Sequence, residues 1–136
     1  MITLFYAGSL TLLAIVLAAL TGRRRIKSEI NLGLGEDFGM LQISRAHGNL
    51  LENAFFFLIL SFALEMIAQI SSITIMILGD VFLISRIAHA YGITRPEAKS
   101  VFRFLGTTGT MIVLIIQTIM ALVISITWLA NNNWGF

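Results

Sequence analysis

In this 136-residue chain, several polar side chains sit at or inside runs of apolar residues, where lipid would not welcome them. Arg45, Asn49 and Glu52 follow one another at helical spacing, Arg86 and His89 are three apart, and Arg103 precedes another apolar run. On a helix, the first three fall within about 60° of one another. Gln42 and Asn53 flank that stripe, and His47 points nearly opposite. Glu52 lies two turns, about 10 Å, beyond Arg45. An unpaired acid at the centre of a span costs about 3 kcal/mol on insertion scales. Glu52 therefore calls for a cationic partner, from the protein or from a ligand. The chain has no cysteine, which excludes disulfides, thiolate metal sites and a cysteine nucleophile. Any thiol chemistry must use a thiol brought in from outside. His47 and His89 are isolated on separate segments, so no metal-ligand set is expected.

The elements that carry these residues are membrane spans. Hydrophobic residues make up 57% of the chain and charged ones only 12%, against about 25% charged in soluble domains. A hydrocarbon core of about 30 Å needs roughly 20 apolar helical residues. Four runs qualify, near 2–20, 41–68, 72–91 and 104–130, which predicts an all-α integral membrane four-helix bundle. The first run lacks a basic leading segment and is followed by Arg23-Arg24-Arg25, so it reads as a retained helix and not a signal peptide. Arg23, Arg24, Arg25 and Lys27 follow span one; Arg95, Lys99 and Arg103 precede span four. The positive-inside rule places both basic loops in the cytoplasm and both termini outside. A net charge of +2 is too small to suggest nucleic-acid binding.

This topology brings Arg45, Asn49, Glu52, Arg86, His89 and Arg103 to one depth at the cytoplasmic boundary. It does not require them to face one another. Interface anchoring by snorkelling arginines is an equally good account of most of them, and Glu52 weighs against it. Asp37 is placed to cap an early start of the second helix. Thr94-Arg95-Pro96-Glu97 has the form of a capping box, which would start the fourth helix near Arg95.

The stretch "RAHGNLLEN", with arginine, histidine two on, asparagine four on and glutamate seven on, resembles the second-helix signature of the MAPEG family. These are the membrane-associated proteins in eicosanoid and glutathione metabolism. "SRIAHAYG" is similar to the end of that family's third helix, and Arg103 matches the arginine near the start of its fourth. The short chain and the "HAYG" ending look like the bacterial subgroup. The resemblance implies a homotrimer in the cell (inner) membrane, multi-pass, with glutathione as cosubstrate bound between subunits at the cytoplasmic end. It assigns glutathione contacts to Arg45, Asn49, Glu52, Arg86 and His89. To Arg103 it assigns the catalytic role of stabilising the thiolate. The activity implied is a glutathione transferase, with peroxidase activity as a further option, acting on hydrophobic electrophiles or lipid hydroperoxides drawn from membrane lipid. Glutathione carries two carboxylates and an ammonium, a pattern that three arginines and one glutamate complement. Where some eicosanoid-making members have serine, tyrosine and tyrosine, this chain has Phe104, Thr107 and Ile93, so prostaglandin and leukotriene synthesis are not carried over. A small four-helix transporter and a non-catalytic scaffold that keeps the pocket stand as alternatives.

Other features have simpler readings. Arg23-Arg24-Arg25 anchors topology on anionic lipid. "NLGLGEDFG" is a loop without the GK[ST] of a phosphate loop. Phe55-Phe56-Phe57 contacts lipid or core, Glu65 is structural near the outer boundary, and Trp128 and Trp134 are interface anchors. Asp80, in mid-span, is expected to be hydrogen-bonded or protonated, with Gln117 or a neighbouring subunit as partner. The absence of cysteine makes the orientation directly testable. Ser28→Cys should resist an impermeant thiol reagent in intact cells and react after permeabilisation. Labelling in intact cells would reverse the topology.

Overall fold

The computed structural model describes residues 1–95 and 100–132. Among them are four helices, α1 (Ile2–Lys27), α2 (Phe38–Phe62), α3 (Ser72–Ile93) and α4 (Val101–Asn131), with no strand. A π-helical turn, Ala63–Ile67, continues the end of α2. All four helices are long and apolar enough to cross a membrane. Even the shortest, at 22 residues, is about 33 Å long and so spans the roughly 30 Å hydrocarbon layer. Large apolar side chains lie exposed along every helix, including Leu12 on α1, Phe55 and Phe56 on α2, Ile84 on α3 and Ile115 on α4. In water such a surface would drive association; in a bilayer it meets lipid or neighbouring helices.

The helix ends depart in part from the sequence reading. Beyond the apolar run that ends near Leu20, α1 continues to Lys27, with Arg24, Arg25 and Lys27 in its last turn. Cations there complement the negative end of the helix dipole, which extends the helix through the basic cluster. Asp37 caps α2 as expected, accepting from the Gly39 and Met40 N–H groups at 2.8 and 3.2 Å. The fourth helix begins at Val101 after Ser100, not near Arg95. Thr94 instead closes α3, its hydroxyl donating back to the Ala90 and Tyr91 carbonyls, which draws that residue into the preceding helix. Pro96 and Glu97 of the expected capping box lie outside the described residues, as do Lys99 and Trp134.

Carboxylates tie α1 in place at both ends. At its start, Glu65 accepts from the Ile2 and Thr3 N–H groups at 2.7 and 2.8 Å and pairs with the Met1 amine. This answers backbone donors that a helix N-terminus leaves open, so Glu65 is structural, as expected. At its other end, Arg24 donates through Nε and Nη2 to the two Asp37 oxygens at 2.8 and 2.5 Å, and Ser28 also donates to Asp37. The Arg24 guanidinium, with the Ser28 hydroxyl, holds the Asp37 carboxyl well below the usual carboxylate range.

The core is aromatic at its centre. Phe57 stacks on Phe82 with centroids 4.0 Å apart, and Tyr6 meets Phe57 edge-on at 6.3 Å. The Tyr6 hydroxyl bridges the Met76 carbonyl at 2.8 Å and Asp80 Oδ1 at 2.7 Å. Asp80 is thus hydrogen-bonded, but to α1. Gln117 donates instead to Ser61 Oγ at 2.7 Å. The α1 helix can come this close because Gly79 faces the Tyr6 ring, where any Cβ would overlap it.

The closest approach is between α3 and α4. A Cβ on Gly92 would collide with the Arg103 backbone. One on Gly106 would lie 2.5 Å from the Ser85 carbonyl oxygen and 2.6 Å from the His89 nitrogen. Both obstacles are main chain and cannot rotate away. Gly106→Ala is therefore expected to destabilise the detergent-solubilised protein by about 1–3 kcal/mol through overpacking. Gly8→Ala, which meets nothing within 4 Å, serves as the control. Equal melting temperatures for the two variants would contradict the close α3–α4 packing.

Candidate functional site

Where the first turns of α2 meet the end of α3 and the start of α4, a cavity of about 320 Å³ opens. Its polar wall is made by Gln42, Arg45, Asn49, His89 and Arg103, and its apolar wall by Phe38, Leu41 and Ile93. Each helix contributes for a local reason. On α2, Leu41, Gln42, Arg45 and Asn49 recur at three- and four-residue steps, so they line one face. The Asp37 cap and its Arg24 clamp determine where that face begins. On α3, His89 is buried against α4, its backbone lying on Gly106. Arg103 is in the first turn of α4, its backbone lying on Gly92.

Four of the six residues expected from sequence are therefore together: Arg45, Asn49, His89 and Arg103. Arg45 and Arg103 are exposed, whereas His89 is buried, with no hydrogen-bond partner for its ring among the described residues. Arg86 is also buried, but it stands behind the cavity wall. Its Nη1 donates to Asn49 Oδ1 at 2.6 Å and its Nη2 to the Gly106 carbonyl at 3.1 Å. Glu52 lies outside the cavity, one turn deeper along α2 from Asn49 and exposed on the bundle surface. Among the described residues no cation pairs with it. Its expected partner is not within this part of the chain.

Gln42 belongs to the site more fully than the sequence reading allowed. It lines the cavity, and its Nε2 donates to the Arg95 carbonyl at 2.6 Å, tying α2 to the segment after α3. Its position three residues before Arg45 is the signal that marks it. The apolar members Phe38 and Ile93 carry no such signal, because nothing distinguishes them from core positions before the helices are docked.

Among the described residues, the lining contains two arginines and no carboxylate. A third guanidinium, that of Arg86, lies behind it. Such a concentration of fixed positive charge at a partly apolar wall suits an organic anion, with carboxylates held by the planar arginine forks. No group of three or more potential metal ligands occurs among the described residues.

Comparison with known proteins bears on the family of the chain. The model of the MAPEG family matches residues 3–123, which reaches into each of the four helices and includes every residue of the cavity. No curated protein matches the chain at a significant level.

Proposed function

The chain belongs to the MAPEG family, and from that premise we propose that it is a membrane-embedded glutathione-dependent transferase acting on hydrophobic electrophiles. The observation that carries this reading is the cavity that gathers Arg45, Asn49, His89 and Arg103 at one end of the bundle, without a carboxylate among its described lining. Glutathione is the cosubstrate. Its carboxylates are received by arginine forks and by the Asn49 amide. Its ammonium is received by Glu52, which has no cationic partner among the described residues. Because Glu52 lies outside the cavity on the bundle surface, one ligand reaches both only at a junction between subunits, in keeping with a homotrimer. The cavity end faces the cytoplasm of the cell (inner) membrane, the source of glutathione, and the electrophile arrives laterally from lipid.

In the chemical step, the glutathione thiolate attacks an electrophilic carbon. A C–S bond forms, the leaving group departs with the bonding pair, and the thiol proton goes to solvent. Arg103 supplies the positive charge that favours thiolate over thiol, lowering the thiol pKa. With a lipid hydroperoxide in place of the carbon electrophile, the thiolate would attack the terminal peroxide oxygen and break the O–O bond. The alkoxide would leave and take a proton as the lipid alcohol, and a second glutathione would reduce the resulting sulfenic acid to glutathione disulfide and water. Conjugation of glutathione to a generic aryl halide by the purified protein, with isothermal titration of glutathione, tests the reading. A monodisperse protein that neither conjugates nor binds would overturn it and favour a scaffold.

Two outcomes separate the roles. Glu52→Gln removes a charged partner and should weaken glutathione binding by about 1.5–3 kcal/mol. Unchanged affinity in a folded variant would remove Glu52 from the site. Arg103→Ala should lower turnover while leaving glutathione affinity within several-fold, and the deficit should shrink at higher pH, where the thiol ionises unaided. Arg103→Lys should fall between, since a point charge keeps part of the electrostatic effect but loses the fork. Superimposable rate–pH profiles for all three proteins would assign the thiolate to another residue.

A further inference from the structure

Arg86 is only 2% exposed. A guanidinium withdrawn this far from water is tolerated only where hydrogen bonds replace hydration. Two of its nitrogens are answered, Nη1 by Asn49 Oδ1 at 2.6 Å and Nη2 by the Gly106 carbonyl at 3.1 Å. The group also lies 5.9 Å from the centroid of the Phe82 ring. Nε has no acceptor. The resemblance that first marked Arg86 made it a ligand contact, yet the cavity wall includes Asn49 and His89 and leaves Arg86 out.

Its bond to Asn49 has a chemical consequence. A guanidinium is a donor only, so the Asn49 atom that meets it must be the amide oxygen. That removes the usual ambiguity about which way an asparagine amide is turned. With Oδ1 committed to Arg86, Nδ2 is the remaining polar atom of this side chain. No described residue accepts from it, and it is not sealed from the surface. Asn49 lines the cavity, so Nδ2 is the atom it can offer there.

We infer that Arg86 is a positioning residue that acts through Asn49: by holding Oδ1, it turns an amide that could donate or accept into a fixed donor for an anionic group in the cavity. Arg45, Arg103 and Asn49 Nδ2 then present donors alone, and the ligand class is a carboxylate or similar oxyanion. The Gly106 carbonyl holds the other arm of the fork, so the orientation depends on α4 as well as α3. This inference rests on the proposed glutathione reading for its first probe.

A double-mutant cycle separates positioning from contact. Glutathione would be titrated into the full-length wild type, Arg86→Lys, Asn49→Ala and the double variant, each checked for the same assembly. Lysine keeps the charge but cannot hold Asn49 and Gly106 together. Arg86→Lys and Asn49→Ala should each weaken binding about tenfold, and the double variant should be no weaker than Asn49→Ala. A double variant weaker by the product of the two losses would make Arg86 a direct contact, and an Arg86→Lys protein as tight as wild type would also overturn the inference. Asn49→Asp is the complementary variant. It keeps an acceptor for Arg86, so the fold should hold, but it replaces the cavity donor with an anion and should abolish binding. Retained binding would refute the donor role. If wild type does not bind glutathione, the function proposal falls, and the inference is judged by ¹⁵N-asparagine spectra with glutarate as probe. The side-chain amide pair assigned to Asn49 should move on adding glutarate and on Arg86→Lys. A pair unmoved by either overturns the inference.

Discussion

The backbone-close packing of α3 on α4 is the constraint on which the cavity depends. Gly92 and Gly106 have no side chains, so the two helices meet where a Cβ would collide with main chain. That approach places Arg103 beside the end of α3, buries His89, and brings the Gly106 carbonyl within reach of Arg86. Small residues serve this purpose in membranes because lipid tails give helices no hydrophobic reason to associate; van der Waals contact and hydrogen bonds must do so. The same logic lets Tyr6 enter beside Gly79 and bond across to α3.

Around that pair, α1 is held by charge. Glu65 caps its start, and Asp37 receives Arg24 and Ser28 near its end. Asp37 is also the cap of α2, so one carboxylate joins two helices and sets the first turn of the face that lines the cavity. Gln42 adds a tie from α2 to the Arg95 carbonyl. The rim of the cavity is thus assembled by local polar bonds, while its floor is set by helix packing.

The charges divide into those already satisfied within the chain and those turned outward. Arg24, Asp37, Glu65 and Arg86 have their partners here. Arg45 lines the cavity, and Glu52 lies exposed on α2 with no cation paired to it among the described residues. In a low-dielectric setting an unanswered charge is costly. A zwitterionic ligand with extra carboxylate complements both signs, which is why the outward set is more informative about function than the inward one.

Much of this was legible in the sequence, for a physical reason. A bilayer leaves no water to satisfy the backbone, so long apolar runs must be helices. Helical spacing then put Arg45 and Asn49 on one face and His89 and Arg103 at the same depth. Asp37 as a cap followed from local chemistry alone. Tertiary structure decided what depends on how each helix is rotated and how near it comes. Asp80 found Tyr6, 74 residues away, and not Gln117. Arg86 turned to Asn49 behind the wall, and Glu52 turned out of the cavity altogether. Rotation about a helix axis is set by where the neighbouring backbones can approach, at Gly79, Gly92 and Gly106. Those contacts join residues far apart in the chain, and no local pattern encodes them.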